Sequence, residues 1–216
     1  MVGSLKALTI GLTTLMLVVA PGCSDDSGEE RSSSQEGQPT TGSFRGGRLP
    51  EGLSGKRAST FRLNDARDGQ LDTRRLTGRP YMITFLYTDC RDVCPLIGRE
   101  IGDALTELGP QRGEVEALAV SVDPEHDTAP AARRWLTERR LPDNFHYLIG
   151  DRRELKPVWD AYYVGPQPAG QPESLHTASI WLVDRKGRLR TKFSGGMPIP
   201  RGDIAHDLKL LLDEPA

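Results

Sequence analysis

One stretch restricts the possible folds more than any other. An uninterrupted apolar run over residues 81–87 (YMITFLY) leads directly into Thr88-Asp89-Cys90-Arg91-Asp92-Val93-Cys94-Pro95. Its β-branched and aromatic residues do not alternate with polar ones, as befits a strand buried on both faces. Pro95 suits the first helical position, where its missing N–H costs nothing. Leu96, Ile97, Ile101, Ala104, Leu105 and Leu108 continue at helical spacing, and Gly109-Pro110 ends the helix. Cys90 and Cys94 thus flank a strand-to-helix junction, at the strand end where open α/β sheets collect their ligands.

The remaining chain alternates in the same way. Strands are expected over 115–122, 145–148, 180–183 and 189–193, the last two joined by the turn Asp184-Arg-Lys-Gly187. Helices are expected over 131–140, 151–162 and 203–212. Phe61-Arg-Leu63 and Gly69-Gln-Leu71 suggest a hairpin ahead of the core. The order β-α-β-α-β-α-β-β-α, with paired cysteines after a buried strand, predicts an α/β thioredoxin-like fold. A central mixed sheet is flanked by helices and extended by the N-terminal hairpin.

The N-terminus reads differently. Lys6 precedes the apolar run 7–20 (ALTIGLTTLMLVVA), which is shorter than the ~20 residues of a spanning helix. It suits a secretory signal over 1–22. Cys23 follows small residues as in a lipobox, although Ala20 stands where Leu is commoner. Cleavage there leaves a lipidated Cys23 anchoring the chain on the outer side of the cell membrane. A plain signal peptide cut nearby, or an uncleaved anchor, is the alternative. Residues 23–48, rich in Ser, Gly, Glu and Gln, are too polar to bury a core and read as a flexible tether. The folded domain is then 49–216. A formal net charge of −2 gives no basic footprint, so no nucleic-acid partner is expected.

Of three cysteines, Cys23 is assigned to lipid, leaving Cys90 and Cys94 as a pair. A loop that short contributes little as a structural staple. In an exported protein the pair is redox-active or metal-binding. A helix N-terminus at Cys94 favours thiolate. Positions i and i+4 of a forming helix share a face, so both sulfurs can aim at one point. Two thiolates suit Cu(I) or zinc, and Cu(II) if a nitrogen joins them. His126, His146, His176 and His206 are the available histidines, and spacing does not choose among them.

Several segments together resemble the Sco/SenC family of membrane-attached copper-binding proteins of cytochrome c oxidase assembly. They are Phe61-Arg-Leu-Asn-Asp65, Leu76-Thr-Gly78, the segment from Thr88 to Pro95, Ser121-Val-Asp123-Pro-Glu-His-Asp127-Thr128 and Leu175-His176-Thr-Ala-Ser179. The resemblance covers about residues 53–212. It implies one copper ion, Cu(I) or Cu(II), held by Cys90, Cys94 and His176, with Asp123 near the metal or simply capping a turn. It implies delivery of copper to the dinuclear site of cytochrome c oxidase subunit II, with another copper chaperone or a thiol reductase as a further partner. Arg91 departs from the family, which often carries Pro after the first Cys. The rival function is a membrane-tethered thiol-disulfide oxidoreductase that uses Cys90 and Cys94 to reduce the target's cysteines before metallation. A peroxidase-like relative ranks lower, because no peroxide-activating cluster is evident.

Overall fold

The computed structural model describes residues 43–67, 69–166 and 178–215. Within them, seven strands form one sheet in the order β2-β1-β5-β4-β3-β6-β7. The strands are β1 (Arg62–Asp65), β2 (Gln70–Asp72), β3 (Tyr81–Leu86), β4 (Glu116–Ser121), β5 (Phe145–Ile149), β6 (Ser179–Val183) and β7 (Leu189–Ser194). β3 pairs in parallel with β4, and β4 with β5, while β1, β2, β6 and β7 add antiparallel edges. The mixed thioredoxin-like sheet and its N-terminal hairpin are as the sequence predicts.

Four helices flank the sheet: α1 (Val93–Glu107), α2 (Ala129–Glu138), α3 (Arg152–Ala161) and α4 (Asp203–Asp213). They explain why β3 and β4 are apolar without alternation, since cover on both faces leaves every residue of β3 buried. α1 packs against α4. It also lies against α2, where Gly98 makes room for an indole: a Cβ there would stand 2.7 Å from the Trp135 ring. From α3, Trp159 Nε1 donates to the Ser121 carbonyl at 2.8 Å, fixing the end of β4. Thr128 caps α2 with its hydroxyl. Asp151 and Glu154 form a capping box on α3.

Two boundaries differ from expectation. α1 begins at Val93, so Cys94 lies inside its first turn and Pro95 is the third helical residue. That position still costs nothing, because the first four amides of a helix have no intrahelical acceptor. Residues 43–48, grouped by composition with the tether, are bound into the domain. The Arg45 and Gly46 amides donate to the Asp207 carboxylate, each at 2.8 Å, and Gly47 bridges to Lys192. The buried Asp207 on α4 supplies what apolar composition did not. The segment read as a signal peptide (1–22), Cys23 and the part of the expected tether up to residue 42 lie outside the described residues. No helix among the described residues is long and apolar enough to cross a membrane.

Candidate metal centre

β3 delivers Cys90 and α1 delivers Cys94. The turn after β3 closes with the Cys90 amide donating to the Tyr87 carbonyl at 3.3 Å. Both cysteines are free thiols and both are buried. The Cys94 amide, unpaired within its helix, donates to Cys90 Sγ at 3.3 Å. The helix N-terminus therefore acts on the Cys90 sulfur, not on Cys94 as its position in sequence suggests.

The two thiols are driven in opposite directions. A hydrogen bond from the Cys94 thiol holds Cys90 well below the ordinary thiol range. Burial opposes this, and the amides of Cys94 and Asp92 and the Tyr87 side chain add to it. Cys94 is pushed up, first by donating to Cys90, then by burial and by the Cys90 charge. One proton is shared between two sulfurs, and Cys90 is the resting thiolate. Such a pair suits a soft cation or attack on a disulfide.

The loop from β4 to α2 forms the neighbouring wall. Asp127 is buried and accepts four hydrogen bonds: from the Thr88 amide at 2.8 Å, the Thr88 hydroxyl at 2.7 Å, Ser121 Oγ at 2.6 Å and the Tyr147 hydroxyl at 3.1 Å. It ties the cysteine loop to β4 and β5. Burial raises its carboxyl pKa, and these bonds oppose the rise. Asp123 turns its carboxylate onto His126 Nδ1, at 2.9 and 3.0 Å, and this bond raises the imidazole's pKa.

Of the sequence-predicted ligands, the structure brings Cys90 and Cys94 together. His176 lies outside the described residues. Among the described residues, no three His, Cys, Asp or Glu side chains gather around one point. His146 is instead bound between two carboxylates, with Nδ1 2.6 Å from Asp65 and Nε2 3.1 Å from Glu116. His206 Nδ1 lies 3.0 Å from the carboxylate of Asp207. Sequence reasoning missed two site groups, Asp127 and the Tyr87 side chain. Nothing local marked either one, since Asp127 stands in a turn-like segment and Tyr87 at the end of an apolar run.

Together, the fold and the buried, unsymmetrical thiol pair define a thioredoxin-like dithiol protein with a soft donor set. The SCO1/SenC family model matches residues 52–213, and the chain belongs to that family. ScoI of Bradyrhizobium japonicum, solved with copper bound, is 32% identical and superposes with a TM-score of 0.62 over 72% of this chain and 99% of its own. The SCO1 protein homolog of Bacillus subtilis (strain 168) is 25% identical over 154 residues, 69% of this chain and 79% of that protein. The structure of BsSco, described with a disulfide switch and as a member of the Sco family of cytochrome c oxidase assembly proteins, shares the fold. It is 21% identical, with a TM-score of 0.66 over 78% of this chain and all of its own.

Proposed function

We propose that this protein is a lipid-anchored, extracytoplasmic copper chaperone that carries one copper ion on Cys90, Cys94 and His176 to the dinuclear copper site of cytochrome c oxidase subunit II. The observation that carries this reading is the pair of free sulfurs at the mouth of α1, one of them held as thiolate. That is the donor chemistry of a site for soft or borderline copper. The copper-bound ScoI relative supports copper as the cargo, and the assembly role given for BsSco supports the oxidase as the destination.

Support for His176 as third ligand comes from where the chain re-enters the sheet. Ala178 accepts a 2.7 Å hydrogen bond from the Gly195 amide. A Cβ on Gly195 would lie 2.8 Å from the Ala178 methyl and 2.7 Å from Ile97. Ala178 therefore enters β6 beside α1, less than one turn past Cys94. The chain therefore resumes beside the helix that carries Cys94. A tether from a lipidated Cys23 would hold the domain near a membrane-embedded partner and raise its effective concentration.

A second reading, thiol-disulfide oxidoreductase, is favoured by the opposite shifts of the two thiols, which supply an attacking and a resolving sulfur. His176 separates the two. Anaerobic titration of the reduced chain with Cu(I) and Cu(II), followed by the thiolate-to-copper absorption band, should give one tight equivalent. It should be lost in Cys90→Ser and Cys94→Ser. His176→Ala should lose tight Cu(II) while its dithiol couple still cycles. Equal copper affinity in His176→Ala and parent would refute the ligand set. No stoichiometric binding at all would leave the reductase.

A further inference from the structure

The loop after β7, residues 195–202, is laid along α1. A Cβ on Gly195 would lie 2.7 Å from Ile97, and one on Gly196 would stand 3.6 Å from Val93. Further on, the Ile199 amide donates to Glu100 Oε1 at 3.0 Å, and Arg201 pairs with Glu107 at 3.0 Å. The loop therefore follows α1 from its first turn to its last. Between them lies a groove of about 430 Å³. Leu96 and Ala104 of α1, Pro198 and Ile199 of the loop, and Ile204 and Ala205 of α4 give it apolar walls. Met197 stands between Gly196 and the groove-lining Pro198. It is 70% exposed, one of two large apolar side chains left in solvent among the described residues. An exposed thioether continuous with an apolar groove marks a contact surface more than a lone surface residue does.

The groove also carries charge, and the charges do not balance. Its ionic side chains are Arg99, Glu100, Asp103, Glu107 and Arg201. Glu107 is neutralised by Arg201. Glu100 spends one oxygen on the Ile199 amide, and its other oxygen has no hydrogen-bond partner. Asp103 is exposed and holds no ion pair. Arg99 and Asp103 both act on Glu100 through space, with opposite sign. Three carboxylates thus share two guanidiniums, and one negative charge is left over. One cation seated among the apolar walls would balance it, whereas an anionic lipid headgroup would be repelled.

We propose that this groove docks an apolar segment of a partner protein that carries one lysine or arginine, and so brings that partner up to the dithiol. The inference rests on the reading that the dithiol serves another protein, and it holds for a copper carrier and a reductase alike. Position links the two sites. Leu96, which lines the groove, is the second residue after Cys94, and Gly196 packs on Val93, the residue before it. A segment lying in the groove therefore runs along the helix whose first turn holds Cys94. Asp103 and Glu100 select the cationic side chain, the apolar walls and Met197 take its neighbours, and neither group touches copper. Docking then sets which proteins exchange with the thiols and leaves the thiol chemistry unchanged.

The test is fluorescence anisotropy of two fluorescein-labelled peptides, GSLVKVLSG and GSLVEVLSG, titrated with the reduced full chain under anaerobic conditions. The lysine peptide should bind saturably, and the glutamate peptide about tenfold more weakly. Asp103→Lys should weaken the lysine peptide about tenfold and reverse the preference. Met197→Ser should weaken both peptides about threefold. Glu125→Lys, the same charge change on the loop after β4, should match the parent. Equal binding of the two peptides would overturn the proposal, as would no saturable binding of either up to about 1 mM. An equal loss in Glu125→Lys would overturn it too, by reducing the effect to net charge. So would a parent dimer that dissociates in Asp103→Lys, since the groove would then belong to a second copy. Copper titration of the same chains keeps the two readings apart. Normal copper uptake without peptide binding sinks the docking groove alone, and peptide binding without copper uptake sinks the carrier and leaves the groove standing.

Discussion

Replacing Asp127 should damage both the fold and the site, because one carboxylate closes four hydrogen bonds across three segments. Asp127→Ala strands the Thr88 amide and the hydroxyls of Ser121 and Tyr147, both of which belong to fully buried residues. A buried donor left without its acceptor costs about 1–3 kcal/mol. The three do not add in full, because the Ser121 and Tyr147 hydroxyls can turn to other acceptors, and because removing a buried carboxylate recovers part of its desolvation. A loss of about 4 kcal/mol is expected, a large share of the roughly 5–15 kcal/mol that holds a domain together. Asp127→Asn keeps an oxygen for Thr88 and offers an amide to the hydroxyl oxygens, so about 1–2 kcal/mol is expected. Urea unfolding of the reduced chain at neutral pH measures both. With Thr88 released, Cys90 should also alkylate faster with iodoacetamide, because its protection comes from this loop. An Asp127→Ala chain within about 0.5 kcal/mol of the parent, alkylating at the parent rate, would refute the reasoning.

Three further outcomes follow from particular contacts. His146 is raised to about 9, since burial would lower it but the Asp65 and Glu116 bonds outweigh burial. Its stabilisation is complete below the unfolded value near 6.5 and is lost as pH rises through about 9. The ceiling is about 3 kcal/mol, less the screening of a partly exposed group. Cys90 slopes the other way over that range, so the urea stability of parent minus His146→Gln isolates the histidine; a difference that does not change between pH 6 and 10 would contradict the network. Gly98→Ala gains helix propensity but drives a methyl into the Trp135 ring, 2.7 Å away, so a net loss of about 1–2 kcal/mol is expected in urea. The reduced parent should show one thiolate by its ultraviolet absorption at neutral pH, and that absorption should vanish in Cys90→Ser; its survival there would reverse the assignment of the two sulfurs.

What could be read from the sequence was what repeats along the chain. The runs at 81–87 and 115–122 announced buried strands, and α1 showed its apolar face at helical spacing. The cysteine pair was legible because strand, thiols and helix are contiguous. What could not be read was contact between distant segments. Asp127 looks like any turn residue until Thr88, 39 positions earlier, and Tyr147, 20 later, meet it. His146 sits in an apolar strand, yet its partners come from β1 and β4, whose register is set by pairing. The docking of residues 43–48 depends on Asp207, 162 positions beyond Arg45. The sense of the thiol asymmetry also needed coordinates, since a helix N-terminus serves whichever sulfur its amides reach, and here that is Cys90.

The chaperone and reductase readings share both sulfurs, so the dithiol cannot tell them apart. What separates them is nitrogen. A reductase completes its cycle between a thiolate and a thiol and has no use for an imidazole. A carrier has two opposed needs, since it must hold copper tightly enough to select it and still exchange it within useful time. The cysteine loop is bonded to the loop after β4 through Thr88 and Asp127, and Ala178 stands close to Ile97 of α1. Loss of tight Cu(II) binding with His176→Ala, with the disulfide couple intact, is the pattern expected of a carrier. A reductase gives no such loss.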